Sequence, residues 1–358
     1  MRIVITGICG FVGSSLALAL VERLTGVEII GIDSLIRPGS ELNRQRLKSA
    51  GVMVRHGDVR MASDFDALPS ADWIIDAAAN ASVLAGVDGR TSSRQLVEHN
   101  LSGTINVLEY ARRAGAGLAL LSTSRVYSIP ALAAIPLRVA DEAFVFDAKN
   151  GASVAPHGCS AAGIAEDFST AAPISLYGAS KLASEVMALE YGQSFGFPVV
   201  INRCGVMAGA GQFGVAEQGI FSYWIRSYAL RRPLRYLGFG GHGYQVRDAL
   251  APADLAELLI KQFNAADRSG GQIWNVAGGA VNALSLAQLS RFCAAEFGEH
   301  DVSADGSPRP FDVPWVVLDS ARAADAFDWR PQHAIHDILA AIVEHHRQHP
   351  EWLEISQS

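Results

Sequence analysis

The chain has 358 residues, 49% of them hydrophobic and 18% charged, which is enough apolar material for a large core and roughly one to three domains. Its 29 Lys and Arg are scattered among 36 Asp and Glu for a net charge of −7, so the basic footprint of a nucleic-acid binder is absent. Cys9, Cys159, Cys204 and Cys293 lie far apart with no paired spacing, which argues against a zinc site or disulfide framework and for a reducing cytoplasm.

In chain order, "RIVITG" is an apolar run of strand length, "GICG" a glycine turn, and "FVGSSLALALVERL" a helix. Ile3 to Val21 carries no charge and could pass for a membrane span. Its glycines are better explained by a strand, a tight turn and a buried helix, so no membrane partner is expected. "VEIIGID" gives a second strand ending at Asp33, "GVMVRHGD" a third ending at Asp58, and "ADWIIDAAA" a fourth. A long helix follows, with Leu96, Leu101, Ile105 and Leu108 on its apolar face and Gly115 closing it. "LALLSTS" is the fifth strand. Strands alternating with helices imply βαβ units, hence an α/β chain built on a doubly wound parallel sheet of Rossmann type.

From 128 to 175 the periodicity fades, and the stretch reads as a lid-like insertion. "YGASKLASEVMALEYGQSFG" is a helix and "FPVVINR" a sixth strand. Beyond Gly205 the pattern is mixed and has no linker, so a smaller, interwoven C-terminal lobe is expected: 1–204 for cofactor, 205–358 mainly for substrate, with 244–262 returning to the first domain. His345, His346 and His349 near the end read as a solvated helix terminus, not a metal site.

Gly7, Gly10 and Gly13 sit between a strand and a helix, where glycines let backbone approach a pyrophosphate and a helix N-terminus offers free N–H groups. Asp33 ends the next strand about 20 residues on, where a carboxylate accepts hydrogen bonds from an adenosine ribose. It would repel a 2′-phosphate, so NAD is expected over NADP. Asp58 is read either as a partner for the adenine amino group or as a turn residue. Phe11, Val12, Val59, Ala78 and Asn100 complete the expected cofactor contacts.

Tyr177 and Lys181 lie one helical turn apart and face the same way. Oxidising an alcohol needs a base, and bringing a phenol from about 10 to about 7 takes roughly 4 kcal/mol. One ammonium about 4 Å away at an effective dielectric near 20 supplies a term of that size. Thr123 and Ser124, at the end of the fifth strand, could hold the substrate hydroxyl against the tyrosine.

Taken together, "TGICGFVG", Asp33, "STSRVY", "YGASK" and "QVRD" resemble the extended short-chain dehydrogenase/reductases, specifically the nucleotide-sugar epimerases and dehydratases. The resemblance implies Thr123 beside the substrate, Tyr177 as acid/base, Lys181 on the nicotinamide ribose and Arg247 on the substrate diphosphate, with Ser124, Arg125, Gln212 and Gln218 as further substrate contacts. The family's 4,6-dehydratases carry Asp and Glu after the Thr; Ser124 and Arg125 stand there instead, which disfavours elimination. The chain is most similar to the CDP-paratose 2-epimerases, through "TSRVY", "GQFGVAEQGIFSYW", "YQVRD" and "VNALSL". That implies C2 inversion of a nucleotide-diphosphate hexose by transient oxidation and hydride return, in a homodimer. Two places depart from those relatives: Cys204-Gly205-Val206 stands where they usually place an Asn or Ser near the diphosphate, and after "QVRD", where they generally continue with a His before the next Asp, Ala251 precedes "PAD". A 4-epimerase, a dehydrogenase and a non-catalytic NAD sensor remain alternatives, the last opposed by the presence of Tyr177 and Lys181.

Overall fold

The structure is a computed structural model that describes residues 1–89, 92–151, 154–215, 218–265 and 271–357. Its centre is a seven-stranded parallel sheet. We number its strands β1 (Arg2–Thr6), β2 (Glu28–Asp33), β3 (Met53–His56), β4 (Trp73–Asp76), β5 (Gly117–Thr123), β6 (Val199–Cys204) and β7 (Gln272–Val276). The sheet order is β7-β6-β5-β4-β1-β2-β3, so the chain reverses direction across the sheet between β1 and β4. A ligand crevice forms at such a switch point, outside the carboxyl ends of the strands.

The strands read as continuous apolar runs because both faces are covered. In β1, Ile3 and Ile5 enter the layer packed by α1 (Phe11–Arg23) and by α4 (Pro252–Asn264), whereas Val4 enters the opposite layer. That second layer holds α2 (Gly103–Ala114) and α3 (Ser175–Phe195), through Val107, Leu108, Ala111 and Ala188. Gly115, at φ 64°, ends α2 in the left-handed conformation that a glycine accepts without strain.

The sequence reading found six strands; β7 is the seventh. It pairs with β6 from Val200↔Gln272 to Cys204↔Val276 and makes the return to the main sheet. Within 244–262 the contributions divide: α4 packs on α1, but Val246–Leu250 belongs to a second sheet, between Val206–Met207 and Ala283–Ser285.

The segment 128–175 is more regular than its composition suggests, although its residues 152 and 153 lie outside the described ones. It contains a helix, Ile129–Ala133, and a hairpin, Leu137–Ala140 with Ala143–Phe146. Leu132, Ile135, Ile164 and Phe168 share a core with Val313 to Leu318, and Phe144 N–H donates to the Tyr244 carbonyl at 2.9 Å. It is therefore a packed platform joined to the second lobe, held by burial that its alanine-rich sequence concealed.

The histidine terminus is only partly solvated: His349 is exposed, but His346 is buried. Ile338, Leu339, Ile342, Val343 and His346 form one buried helical stripe, and the chain then folds back to stack Trp352 on Phe213 with ring centroids 5.2 Å apart. Among the described residues there is no cluster able to hold a metal ion, and no helix long and apolar enough to cross a membrane.

Candidate active site

The carboxyl ends of β1, β5 and β6 open into a cavity of about 380 Å³. The glycine turn, residues 121–125, Tyr177, Cys204 to Met207, Gln212, Gln218 and Arg247 all line it.

The glycine turn is built to exclude side chains. Gly7 has φ 62°, and a Cβ there would lie 2.9 Å from the Ala78 Cα; a Cβ on Gly13 would lie 2.3 Å from the Gly7 carbonyl oxygen. Gly10 precedes α1 and no side chain caps the helix, so the first-turn amides are left for an anion. Asp33 stands beside this turn, its Oδ2 accepting from Cys9 N–H and its Oδ1 from Leu35 N–H, each at 2.8 Å. Burial pushes its pKa up, and backbone bonds from Leu35, Cys9 and Gly10 oppose that rise. These three donors leave the carboxylate acceptor capacity for a ribose hydroxyl. A cradle that no side chain can enter, followed by a fixed carboxylate, fits a dinucleotide.

Other expected contacts lie behind the cavity wall. Ala78 N–H donates to Thr6 Oγ1 at 3.0 Å, and the buried Val59 is the residue that a Cβ on Gly103 would strike. Asn100 lies in a π-helical turn, Glu98–Ser102, inside the stretch read as one regular helix; its side chain bonds both the N–H and the carbonyl of Asn80 and the Ser180 hydroxyl. The Asp58 carboxylate is taken by Arg60, at 2.5 Å, which holds it below the usual range.

On the chemical side, Thr123 and Tyr177 both line the cavity, and the Thr123 hydroxyl accepts from the Arg125 N–H at 3.2 Å. Burial pushes the phenol up to about 12, and the groups that pull it down are Thr123 and Arg125. Lys181 lies one helical turn on from Tyr177. It is buried at 2% exposure, outside the cavity lining, and its own pKa is lowered by that burial against the charges of Asp76 and Glu185. Asp76 is itself held by the Thr6 and Thr104 hydroxyls.

Toward the second lobe, Arg247 binds Asp312 at 3.0 Å and the Val313 carbonyl at 2.9 Å. Gln212 spends its side chain on the Met207 carbonyl and the Ser222 hydroxyl. Gln218 accepts from Arg37 at 2.5 Å; residues 216 and 217, between the two glutamines, lie outside the described ones. Arg37, Arg309 and Asp312 line the cavity and were not expected; "IRPG" and "PRPFD" were their only signals.

Residues 3–277 match the family described as Epimerase, the NAD dependent epimerase/dehydratase family. The chain belongs to this family. It is an NAD-dependent enzyme, and the glycine cradle with Asp33 is where its cofactor fits. It is 27% identical over 351 residues to a CDP-paratose 2-epimerase of Salmonella typhi, covering 94% of this chain and 96% of that one. Among solved structures, it matches a UDP-glucose 4-epimerase of Thermus thermophilus in complex with NAD at 26% identity and TM-score 0.73, over 97% of this chain and 99% of the other. A dTDP-glucose 4,6-dehydratase double mutant from Streptomyces venezuelae shares the fold at TM-score 0.79 and 24% identity, over 99% and 100%. Epimerases and a dehydratase thus lie at comparable distance, and the cavity's own chemistry has to separate them.

Proposed function

We propose that this member of the epimerase/dehydratase family epimerises a nucleotide-diphosphate hexose, at C2 of a CDP-sugar. One observation carries the choice of epimerisation: among the described residues lining the cavity the single carboxylate is Asp312, and Arg247 holds it. Expelling water from a sugar needs an acid to protonate the leaving hydroxyl and a base to take the carbon-bound proton. Ser124 and Arg125 supply neither.

NAD, when bound, supplies a hydride acceptor and returns the hydride. Tyr177 takes the hydroxyl proton of the sugar and gives it back, and Thr123 holds that hydroxyl in place. Lys181 fixes the cofactor ribose, and Arg247 and Arg309 face the diphosphate with the bidentate donors that suit it. Likeness to the Salmonella typhi CDP-paratose 2-epimerase across nearly both whole chains supports C2 and cytidine. A cytoplasmic homodimer, with the chain divided near 204 into a cofactor part and a mainly substrate-binding part, belongs to the same proposal.

The test is incubation with CDP-, UDP- and GDP-hexoses in deuterated water, with NMR of the products. Inversion at one carbon, no solvent deuterium in the skeleton and no net NADH is the expected result. Deuterium in the carbon skeleton, or stoichiometric oxidation of the sugar, would overturn it.

A further inference from the structure

Three arginines that line the cavity, Arg125, Arg247 and Arg309, lie close enough for their charges to bear on one another and share one carboxylate, Asp312. Arg247 is engaged with Asp312, Val313 and its neighbour's carbonyl. Arg125 differs. Among the described residues its side chain makes one hydrogen bond, a long one from Nη1 to the Phe311 carbonyl at 3.4 Å, and no ion pair. Its fork therefore has donors to spare, and the carboxylate that bears on it, Asp312, is already paired with Arg247.

Arg125 is also fixed next to the acid/base residue. The short 3₁₀ turn Ser124–Val126 is pressed against the start of α3 so closely that a Cβ on Gly178, the residue after Tyr177, would lie 2.3 Å from the Arg125 carbonyl oxygen. The guanidinium lines the same cavity as Tyr177, and its charge bears on the phenol. A cation in want of an anion and a proton-transfer group thus stand side by side.

In a nucleotide-diphosphate sugar, the phosphate is attached at C1. The C2 hydroxyl is on the neighbouring carbon, whereas the C4 hydroxyl lies across the ring. With O2 at Tyr177 the sugar-linked phosphate comes to the phenol's neighbourhood, where Arg125 waits. With O4 at Tyr177 the phosphate moves to the far side of the ring, and the half-buried Arg125 keeps its spare donors unused.

We propose that Arg125 binds the sugar-linked phosphate and so selects C2 as the carbon oxidised. The inference rests on the epimerase reading above. At C2 the hydroxyl proton passes to Tyr177 and the carbon-bound hydrogen leaves as hydride to the bound NAD, forming the 2-keto sugar. Both return, the hydride to the opposite face, so no outside oxidant is consumed.

The experiment uses the NAD-loaded enzyme with CDP- and UDP-hexoses deuterated at C2 or at C4, following NADH absorbance, and measures CDP and UDP binding to wild type, Arg125→Gln and Arg125→Lys by calorimetry. Deuterium at C2 slows NADH formation and deuterium at C4 does not; Arg125→Gln weakens CDP or UDP binding about tenfold while keeping its NAD, and Arg125→Lys recovers part of the loss. Slowing by C4 deuterium alone would overturn the inference and leave the epimerase reading standing. Unchanged nucleotide affinity in Arg125→Gln would also overturn it. Neither transient NADH nor inverted product with any of these sugars would bring down both.

Discussion

Arg203 lies across both carboxylate oxygens of Glu185, with Nε at 3.1 and 3.2 Å and Nη2 at 2.8 Å, in a pair whose side chains are 5% and 1% exposed. Ser122 donates to the same carboxylate, and Arg203 Nη1 reaches the Tyr127 hydroxyl and the Glu166 carbonyl. The pair therefore ties α3, which carries Tyr177 and Lys181, to β5, to β6 and to the platform of 128–175.

Removing one member strands the other as an unpaired buried charge. Glu185→Ala should cost about 3–5 kcal/mol in urea unfolding, and a Glu185→Leu, Arg203→Met double variant should cost less than the Glu185→Ala single. A single-variant loss below about 1 kcal/mol would mean that the pair is solvated and does not organise the site.

Tyr177→Phe keeps the ring and removes the proton carrier. Turnover should fall about 10²–10⁴-fold with bound NAD unchanged, as measured by epimerase assay and by absorbance of the released cofactor. Thr123→Val tests the neighbouring hydroxyl. That hydroxyl lowers the phenol, so its loss raises the phenol's pKa, makes the basic form scarcer near neutrality and moves the acid limb of the pH–rate profile to higher pH. An unmoved limb would detach Thr123 from the acid/base group.

The glycine cradle gives a sharper steric prediction. A Cβ at Gly13 would meet backbone on three sides, the Gly7 carbonyl oxygen at 2.3 Å, the Ile8 Cα at 2.8 Å and the Gly7 carbonyl carbon at 2.9 Å. Backbone cannot rotate away as a side chain can. Gly13→Ala should therefore purify without NAD or fail to fold, whereas Gly26→Ala, with nothing within 4 Å of its Cβ but φ at 71°, should lose only a fraction to about 1 kcal/mol and keep its NAD. Full NAD content in Gly13→Ala would show that the turn opens.

How far the sequence spoke depended on whether a feature is local. The strand, glycine turn and helix at Gly7 to Gly13 are one continuous stretch, and the one-turn spacing of Tyr177 and Lys181 is a property of any helix, so both were legible. What was hidden is set by distance along the chain. Lys181 answers to Asp76, far before it, and Arg125 takes its surroundings from Arg247, Arg309 and Asp312, which no spacing connects to "STSR". The platform of 128–175 borrows its core from Val313 to Leu318, so its own residues carry too little periodicity to announce it. The π-helical turn that aims Asn100 is one added residue in an otherwise regular pattern, below the resolution of a periodicity reading.

The fold-back of the C-terminus makes stability depend on acid. His345 Nδ1 lies 2.8 Å from Arg226 Nη2, so it accepts that hydrogen bond and the ring is neutral; Arg226 is fully buried and, among the described residues, has no carboxylate partner. Burial first and the Arg226 charge second push the imidazole down to about 3, against an ordinary value of 6.5. A base whose pKa is depressed by folding is stable in its pocket above the unfolded value. As pH falls from about 6.5 toward 3, the unfolded chain takes up a proton that the folded chain refuses, and stability is lost over that window. His346 is shifted the same way by burial, so both act together. Wild type should melt several degrees lower at pH 5 than at pH 7.5, and His345→Asn, which keeps an acceptor for Arg226 but cannot ionise, should show a smaller difference. An equal drop in both proteins would move the acid sensitivity away from this contact, because asparagine has no proton to gain.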